Sequence, residues 1–468
     1  MMTKTTVIYG VDDRPPAGRA VVLALQHALT MFGATVAVPL LLGPTMGMSQ
    51  AQIAVLISSV MLCSGLATLV QVTFGSRLPI IQGVSFSFLA AFFAIITAGK
   101  DAGWTPAVMM QYIAGTIMVG AVVEIVIGFS GLMGRLRSVL SPVVVGPVIM
   151  LIGLALFQHG APKAGTHWPI SGLTIVLVIV FSLVLSRRRR FFRLFPILSA
   201  IVVAWCVCWG LSLAGVFGPG HPARISLEAV EHSGWVRLNP AEVVLPWGTP
   251  KFALGFVIAG LAGYLASMIE SFGDYHACSH MAGGGDPTPK QISRGIGCEG
   301  IGCFMTSLLG GFSSTSYSEN IGLVGLTKVG SRYVVQIAGV LLVLLGLFGK
   351  FGAFAATIPG PVVGGLYCVL FGLISAIGIQ QLAKADLSSD RNLFIAGFSL
   401  FMGLSVPAYF GGLSSYSPGW AELSTACPET VTSLLGSIGS TGMGVAAIVG
   451  IILDNVIPGT AEERGLKS

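Results

Sequence analysis

Long apolar runs separated by short polar stretches dominate this chain and constrain its fold more than any other feature. Most of the runs contain the roughly 20 residues that a helix needs to cross a bilayer. There are fourteen of them, at residues 20–41, 51–74, 80–98, 107–130, 138–157, 170–186, 195–217, 252–272, 296–311, 318–328, 332–348, 360–378, 391–410 and 439–457. Only 9% of the residues are charged, against about 25% in an average soluble protein. The sequence therefore predicts an all-α polytopic membrane protein with fourteen transmembrane segments. It excludes a soluble enzyme, a disordered chain and a nucleic-acid binder.

The distribution of Lys and Arg residues predicts the orientation of these segments. With the N-terminus placed in the cytoplasm, 19 of the 25 Lys and Arg residues fall in cytoplasmic loops or ends. The other six fall in outer loops: Lys100, Lys163, Arg224, Arg237, Lys251 and Lys350. This asymmetry follows the positive-inside rule, so we expect a multi-pass protein of the cell membrane with cytoplasmic N- and C-termini. The run Arg187–Arg190 is interpreted as an orientation anchor, with binding of lipid headgroups as the alternative.

Segments three and ten, counted along the chain, are interrupted. Segment three begins at Pro79 and carries Gln82-Gly83, while segment ten is short and follows Gly310-Gly311 and a run of Ser and Thr residues. Interrupted segments at matching places in two halves are typical of the binding sites of secondary transporters. We therefore expect short extended breaks in segments three and ten.

A short repeated motif supports two related halves. The sequence Pro-Val-Val-Val-Gly at residues 142–146 opens segment five, and Pro-Val-Val-Gly at residues 361–364 opens segment twelve. Segments five and twelve are seven apart, as are segments three and ten. Because seven is an odd number, the second half is expected to be inverted relative to the first, which gives two inverted seven-segment repeats.

Acidic residues inside spans are functional candidates, because each costs at least ~2.5 kcal/mol at the bilayer centre. Six occur within or at the ends of the predicted spans: Glu124, Glu270, Asp274, Glu299, Glu319 and Asp454. Glu270 and Asp274 are four residues apart and therefore share one helical face. Two ionised carboxylates would repel each other there, so one is expected to hold a proton, as a proton-coupled carrier requires. The alternative for Asp274 is a solvated position at the cytoplasmic end of segment eight.

The remaining candidates cluster near the two breaks or in segment one. Glu319-Asn320 follows the polar run, and a carboxylate there would accept two N–H groups of a flat heterocycle. Phe86 and Tyr317 flank the breaks and either pack or stack against a planar ligand. His27 either hydrogen-bonds across helices or tunes the site. The other three acids, Glu124, Glu299 and Asp454, are interpreted as interhelical hydrogen-bonding or cavity-lining residues.

The sequence Glu319–Lys328 resembles a known family signature. It fits the pattern [Gln/Glu]-Asn-x-Gly-x-x-x-x-Thr-[Arg/Lys/Gly] of the nucleobase–ascorbate transporters, also called nucleobase:cation symporter family two, of the xanthine/uracil permease type. Gln82–Phe86 is similar to the segment-three motif of that family, Gln26-His27 to its segment-one pair, and Glu270–Asp274 to its segment-eight motif. The resemblance extends over essentially the whole chain.

The resemblance implies a domain organisation. Residues 1–137 (segments one to four) and 252–350 (segments eight to eleven) would form a core domain. Residues 138–217 (segments five to seven) and 351–468 (segments twelve to fourteen) would form a gate domain, with 218–251 as an extracytoplasmic loop. The family further implies a homodimer through the gate domain and an elevator-like movement of the core.

The resemblance also implies the roles of individual residues. Glu270 and Glu319 would hydrogen-bond a nucleobase, the backbone at Phe86 and Ser318 would complete its recognition, and Tyr317 and Phe86 would lie near its ring. The full set of substrate-binding candidates is Gln82, Phe86, Glu270, Tyr317, Ser318, Glu319 and Asn320, and the proton-coupling candidates are His27 and Asp274. No cofactor and no metal are expected.

The substrate remains open between several bases. Carriers of ascorbate have Pro where this chain has Glu319, which disfavours ascorbate. Xanthine and urate carriers usually have Gln at that position and uracil carriers have Glu, but bacterial uracil carriers have His at the position of Asp274. Uracil, xanthine and guanine therefore all remain candidates, with a proton as the coupling cation and sodium as the alternative.

Three other classes of protein fit the sequence less well. An anion exchanger or channel of the related sulfate–bicarbonate carrier fold would favour positive groups at the midplane of the membrane. A membrane-embedded enzyme would need a nucleophile–base set or a metal cluster, and neither is evident, so no enzyme is expected. An ATP-driven pump would need a phosphate-binding loop, which the sequence lacks.

Overall fold

A computed structural model describes residues 7–133, 139–412, 428, 435–436, 439 and 441–466. The described residues are mostly helical. The first half contains α1 (Ala17–Thr45), α2 (Gln50–Thr73), β1 (Gln82–Val84), a 3₁₀ turn (Phe86–Phe88), α3 (Leu89–Asp101), α4 (Pro106–Phe129), α5 (Pro142–Ala155), α6 (Phe157–Ala164), α7 (Trp168–Ile179), a π-helical turn (Val180–Leu185) and α8 (Pro196–Leu213). The second half contains α9 (Leu254–Met281), α10 (Pro289–Leu309), β2 (Ser314–Ser316), α11 (Ser318–Thr327), α12 (Arg332–Leu347), α13 (Gly349–Ala355), α14 (Gly360–Leu382), α15 (Asp390–Gly412) and α16 (Gly442–Val456). Four shorter helices connect them, at Ser186–Arg188, Arg190–Leu194, Glu228–His232 and Pro240–Val243.

The helices have the length and apolarity of a multi-pass membrane protein. Among the described residues, nine helical units are long and apolar enough to cross a bilayer: α1, α2, α4, Pro142–Ala164, Trp168–Arg188, α8, α9, α14 and Asp390–Phe410. The helices α12 and α16 are apolar but shorter. The number of fourteen spans and the inverted repeat stay predictions. The predicted boundary between the core and gate domains, at residues 137 and 138, lies outside the described residues. So do four of the Lys and Arg residues assigned to the cytoplasmic side: Lys4, Arg135, Arg137 and Lys467.

The starts of several helices follow from local sequence. Ser49 begins α2 with a capping box, in which its hydroxyl accepts from the Gln52 N–H and the Gln52 side chain accepts from the Ser49 N–H. Thr288 and Gln291 form the same motif before α10. Four helices begin with a proline, which lacks an N–H group, and the first position of a helix is where that group would have no intrahelical partner. These residues are Pro106, Pro142, Pro196 and Pro289.

The two predicted breaks are present as strands that pair with each other. β1 and β2 are antiparallel, with Gln82 opposite Ser316 and Val84 opposite Ser314, and all six residues of the two strands are buried. Backbone groups at membrane depth must find partners within the protein, because the lipid offers none. The pairing supplies those partners, so the chain can leave the helical conformation at both breaks.

Tyr317 secures the strand pair from one side. A Cβ atom built on Gly83 would stand 2.5 Å from Cζ of the Tyr317 ring, so the ring lies directly against this glycine. The Tyr317 hydroxyl donates to the Val84 carbonyl at 2.9 Å and accepts from the Thr35 hydroxyl at 3.2 Å. Tyr317 thereby connects β2 with β1 and α1.

The helices pack in two groups. In the strand-bearing group, which comprises α1–α4, α9–α12 and both strands, α10 packs against α4 and α2, and α12 packs against α2 and α1. In the second group, which comprises α5–α8 and α14–α16, α14 packs against α5, α6 and α7, while α15 and α16 pack against each other and against α5. The strand pair belongs to the first group and faces the second.

Substitution of Gly83 by Ala should destabilise the strand pair. The added methyl group would displace the Tyr317 ring and its hydrogen bond to Val84, and overpacking of this kind typically costs about 1–3 kcal/mol. We expect a lower midpoint of thermal unfolding in detergent. Gly322→Ala is the matched control, because no heavy atom lies within 4 Å of a Cβ built at that position. Equal midpoints for the two variants would contradict the contact.

Candidate substrate site

A small cavity lies where the strand-bearing group meets the second group. Its volume is about 60 Å³. One wall is polar and consists of residues at the ends of the strands, at the starts of the following helices and on α9: Val84, Ser85, Phe86, Ser87, Glu270, Thr315, Ser316, Tyr317, Ser318 and Glu319. The opposite wall is apolar and comes from α5 and α14: Ile149, Ile152, Leu370, Leu373, Ile374 and Ile377.

Two helices begin at the polar wall. The 3₁₀ turn that leads into α3 follows β1, and α11 follows β2 directly. The first N–H groups of a helix have no intrahelical partner, and the helix dipole makes this end partially positive. The cavity therefore combines N–H donors with the carboxylates of Glu270 and Glu319.

Glu270 and Asp274 occupy neighbouring but different positions. Glu270 is half-buried and lines the cavity. Asp274, one turn later on α9, is buried and accepts hydrogen bonds from the Ser318 hydroxyl at 2.8 and 3.0 Å. The alternative of a solvated Asp274 is therefore wrong in this structure, since its carboxylate contacts the start of α11.

Glu319 is held between two interhelical contacts. Ser318, before it, donates to Asp274, and the Asn320 amide, after it, contacts Nδ1 of His27 at 3.1 Å and donates to the His27 carbonyl at 3.0 Å. The two contacts attach the first turn of α11 to α9 and to α1. Glu319 itself is exposed; it lines the cavity and also a second pocket that contains Arg193. The contacts of its two neighbours determine where its backbone stands.

The predicted site residues divide into two sets. Five of them line the cavity: Phe86, Glu270, Tyr317, Ser318 and Glu319. The others support it from behind, since the Gln82 side chain donates to the Ser316 hydroxyl at 3.0 Å and Asn320 pairs with His27. His27 is buried and forms the interhelical hydrogen bond considered as one of its two roles.

The two aromatic residues differ in what they contact. The Phe86 ring packs edge-on against Phe371 of α14, with ring centroids 6.4 Å apart. It therefore lies at the boundary between the two helix groups. The Tyr317 ring lies against Gly83, as described above, so packing accounts for part of its role.

Glu299 forms the interhelical hydrogen bonds that the sequence predicts for it, although it is not among the predicted site residues. It is buried on α10 and accepts from four hydroxyl groups: Ser271 at 2.7 Å, Tyr275 at 3.0 Å, Ser267 at 3.2 Å and Ser316 at 3.4 Å. Residues 267, 271 and 275 recur every four positions and form a polar stripe along an apolar helix. That stripe was the available sequence indication of a polar partner on another helix.

Known proteins resemble this chain over nearly its full length. Residues 18–412 match the sequence profile of the xanthine/uracil permease family, described as "Permease family". Solute carrier family 23 member 1 of Rattus norvegicus is 38% identical over 99% of this chain and 82% of its own length. Nucleobase-ascorbate transporter 2 of Arabidopsis thaliana is 33% identical over 98% of this chain and 90% of its own length.

Solved structures share the fold at low sequence identity. Murine solute carrier 26 family member A9, an anion transporter in the inward-facing state, has a TM-score of 0.60 at 12% identity and is matched over 95% of this chain and 69% of its own. The transmembrane domain of the cyanobacterial bicarbonate transporter BicA has a TM-score of 0.53 at 14% identity, over 94% of this chain and 98% of its own. These structures support a transporter fold but do not identify a substrate.

The predicted family resemblance is thus confirmed by the profile and by full-length relatives at 33–38% identity. The relatives are named as transporters, in agreement with the expectation that the chain is not an enzyme. The chain belongs to the xanthine/uracil permease family, which includes solute carrier family 23 and the nucleobase–ascorbate transporters, and it is a multi-pass membrane transporter.

Proposed function

We propose that this transporter takes up a nucleobase such as uracil, xanthine or guanine by proton symport. The observation that carries the proposal is the arrangement of Glu270 and Glu319, two carboxylates from different helices that line one cavity beside two helix starts. Nucleobases present N–H donors and C=O acceptors along the edge of a flat ring. The carboxylates would accept from the N–H groups, and the backbone at Phe86 and Ser318 would donate to the carbonyls.

The same arrangement disfavours an anionic substrate. The names of the relatives and of one structural neighbour mention ascorbate and bicarbonate, so both are alternatives. Among the described residues that line the cavity, none is Lys or Arg. An anion would therefore face two carboxylates with only helix N-termini to attract it. A neutral base avoids that repulsion.

Asp274 and His27 are the proposed coupling residues. Asp274 accepts from Ser318 and His27 contacts Asn320, so each one holds a direct sequence neighbour of Glu319. Binding of a proton at either residue would change a hydrogen bond that positions Glu319. This gives proton binding a physical route to the substrate carboxylate. Sodium is the alternative coupling cation.

The packing of the helices supports an elevator-like movement. The strand-bearing group corresponds to the proposed core domain and the second group to the proposed gate domain. At the cavity, the apolar wall of Ile and Leu side chains from α5 and α14 gives the core a surface to slide past. The hydrogen bond from the Tyr367 hydroxyl of α14 to the Ala37 carbonyl of α1, at 3.0 Å, would have to break in this movement. Cross-linking of cysteines at Ile152 and Ser87 should trap the carrier and stop uptake, whereas unimpeded uptake by the cross-linked protein would argue against the movement.

The outer face of the second group is a proposed dimer interface and lipid-facing surface. Large apolar side chains are exposed there, among them Phe394, Phe398 and Phe401 of α15. Because lipid also covers such side chains, their exposure does not distinguish a dimer interface from a lipid-facing surface. The mass of the purified protein in nanodiscs distinguishes a homodimer from a monomer. We also propose that the protein lies in the cell membrane with cytoplasmic termini, which places Ser226 in the extracytoplasmic loop of residues 218–251. Labelling of Ser226→Cys in intact cells by an impermeant thiol reagent tests this orientation.

Transport by the purified protein in proteoliposomes tests the proposed function. Uptake of labelled uracil, xanthine and guanine is measured with a pH gradient, with a sodium gradient and with neither. Nucleobase transport is supported when unlabelled base, but not ascorbate or bicarbonate, competes. Accumulation driven by a sodium gradient alone would identify sodium, and not the proton, as the coupling cation. Transport of an anion in place of any base would reject the proposal.

Glu319→Gln should change the preference for bases more than it changes folding. A carboxylate only accepts hydrogen bonds, whereas an amide has one acceptor oxygen and one donor NH₂ group. A mismatched buried partner costs about 1–3 kcal/mol. We expect a shift in the ratio of purine to pyrimidine uptake, with an unfolding midpoint close to that of the parent. An unchanged ratio would place Glu319 outside the recognition site.

Glu270→Ala should abolish measurable binding of every base. Loss of the carboxylate leaves ligand N–H groups unpaired in a dry site, and truncating one partner of a buried charged hydrogen bond costs about 2–5 kcal/mol. This corresponds to a loss of affinity of roughly 30-fold to several thousand-fold. Calorimetric titration of the purified variant measures the change. Glu231→Ala, in an exposed connecting helix, is the control and should bind as the parent does.

Asp274→Asn should uncouple transport from the proton gradient while base binding remains measurable. The amide still contacts Ser318 but no longer takes up a proton at neutral pH. We expect exchange of labelled for unlabelled base without net accumulation. Asp101→Asn, at the exposed end of α3, should accumulate substrate normally. If Asp274→Asn also accumulates substrate like the parent, the coupling proton binds elsewhere.

A further inference from the structure

Among the residues that the structure describes, Glu124 differs from the other buried acids in having no hydrogen-bond partner. Asp454 is paired with Arg391 at 3.0 Å and with Arg464 at 2.7 Å, and Glu299 accepts from four hydroxyl groups. Glu124 is fully buried in α4, yet neither of its carboxyl oxygens has a hydrogen-bond partner among the described residues. The expectation of an interhelical hydrogen bond is therefore wrong for Glu124 in this structure.

Close contact between α4 and α10 places Glu124 beside Glu299. A Cβ built on Gly300 would stand 2.8 Å from the Ile125 nitrogen and 3.0 Å from the Ala121 oxygen. One turn further along α4, a Cβ on Gly128 would stand 2.2 Å from the Gly297 nitrogen. The two backbones thus touch along the turns of α4 that flank Glu124, and Glu299 directly precedes Gly300 at this contact.

Within the described part of the chain, the other titratable side chains near Glu124 carry no positive charge. They are Cys303 on α10 and Tyr264 and Tyr275 on α9. The Tyr264 hydroxyl donates to the Ile117 carbonyl at 2.9 Å, the Tyr275 hydroxyl donates to Glu299, and the Cys303 thiol donates to the Ser314 carbonyl. Helix α3 also packs against α4, but its titratable residues, Lys100 and Asp101, lie at its C-terminal end.

This environment determines which of the two acids keeps its negative charge. An ionised carboxylate that is buried without a donor is strongly destabilised, and a neutral carboxylic acid is not. Two carboxyl groups that share a site do not both ionise readily. Glu299 accepts from four hydroxyl donors, which stabilise its ionised form, whereas Glu124 has no such donors among the described residues. We infer that Glu124 and Glu299 form a two-carboxylate proton site behind the strand pair, with the proton on Glu124 when Glu299 is hydrogen-bonded as observed.

The proton site is connected to the substrate cavity through β2. Glu299 accepts from the hydroxyl of Ser316, which lines the cavity, and from that of Ser271, next to Glu270. Among the described residues no hydrogen bond joins Glu124 to Glu299, so a proton transfer between them requires the Glu124 side chain to move first. The transfer then breaks one O–H bond on Glu124 and forms one on Glu299, and the negative charge moves to Glu124. The hydroxyls of Ser271 and Ser316 then lose a charged acceptor. A role of this transfer in coupling rests on the transport function proposed above, whereas protonation of Glu124 does not.

Infrared spectroscopy of the purified full-length protein tests the protonation directly. The C=O stretch of a neutral carboxyl group is measured at neutral pH without substrate. We expect Glu124→Gln to lose the intensity of one such group. Thr116→Val is the matched control, because Thr116 is also buried on α4 and its hydroxyl has no hydrogen-bond partner among the described residues. It should keep the full band. An unchanged band in Glu124→Gln would show that Glu124 is ionised and would overturn the inference.

Transport measurements test the coupling role separately. In proteoliposomes with labelled xanthine or uracil, Glu124→Gln should exchange base at a rate within about threefold of the parent rate, which corresponds to about 0.7 kcal/mol. Accumulation driven by a pH gradient should be lost. Normal accumulation by Glu124→Gln would remove Glu124 from the coupling pathway. If the parent protein itself shows no pH-driven accumulation, the proposed proton symport fails, while the infrared band still decides whether Glu124 holds a proton.

Discussion

The pairing of β1 with β2 is the contact on which the rest of the site depends. Backbone that leaves the helical conformation inside a membrane must find its hydrogen bonds within the protein. Each strand supplies three residues to the other, from positions more than 200 residues apart. This pairing allows two helices to begin in the interior of the protein, and their first residues form the polar wall of the cavity. The close approach of the Tyr317 ring to Gly83 stabilises the same contact.

The acids within the helices differ in the partners that the fold gives them. Arginine side chains neutralise Asp454, hydroxyl groups stabilise Glu299, and the Ser318 hydroxyl engages Asp274. Glu270 and Glu319 instead face the cavity, where a ligand would supply the missing donors. An acid in a low-dielectric interior is either paired, protonated or exposed to a ligand. Asp454, Glu299 and Asp274 are paired in the structure. The proposal for Glu124 concerns a protonated acid, and the proposal for the cavity concerns acids exposed to a ligand.

Much of the site was predictable because it depends on local sequence. The Pro and Gly residues at the breaks and the polar run before Glu319 indicated where helices are interrupted, and strands occur at both places. The spacing of Glu270 and Asp274 correctly placed them one turn apart on α9. Spacing did not show that Glu270 lines the cavity while Asp274 contacts Ser318. It also did not show that Gln82 and Asn320 bond to protein groups behind the cavity.

By itself, the sequence determined that this chain is a polytopic membrane protein of a transporter family, since hydropathy, charge asymmetry and the Glu319–Lys328 signature are properties of contiguous residues. Only the tertiary structure decided which polar groups meet. Asn320 and His27 are 293 residues apart, and Ser318 and Asp274 are 44 residues apart. The physical reason is that a buried polar side chain takes its partner from whichever helix packs against it. Which distant helices pack together depends on how well their surfaces fit, as where the missing side chain of Gly300 lets α4 approach closely. The periodicity of apolar residues within one helix does not determine this.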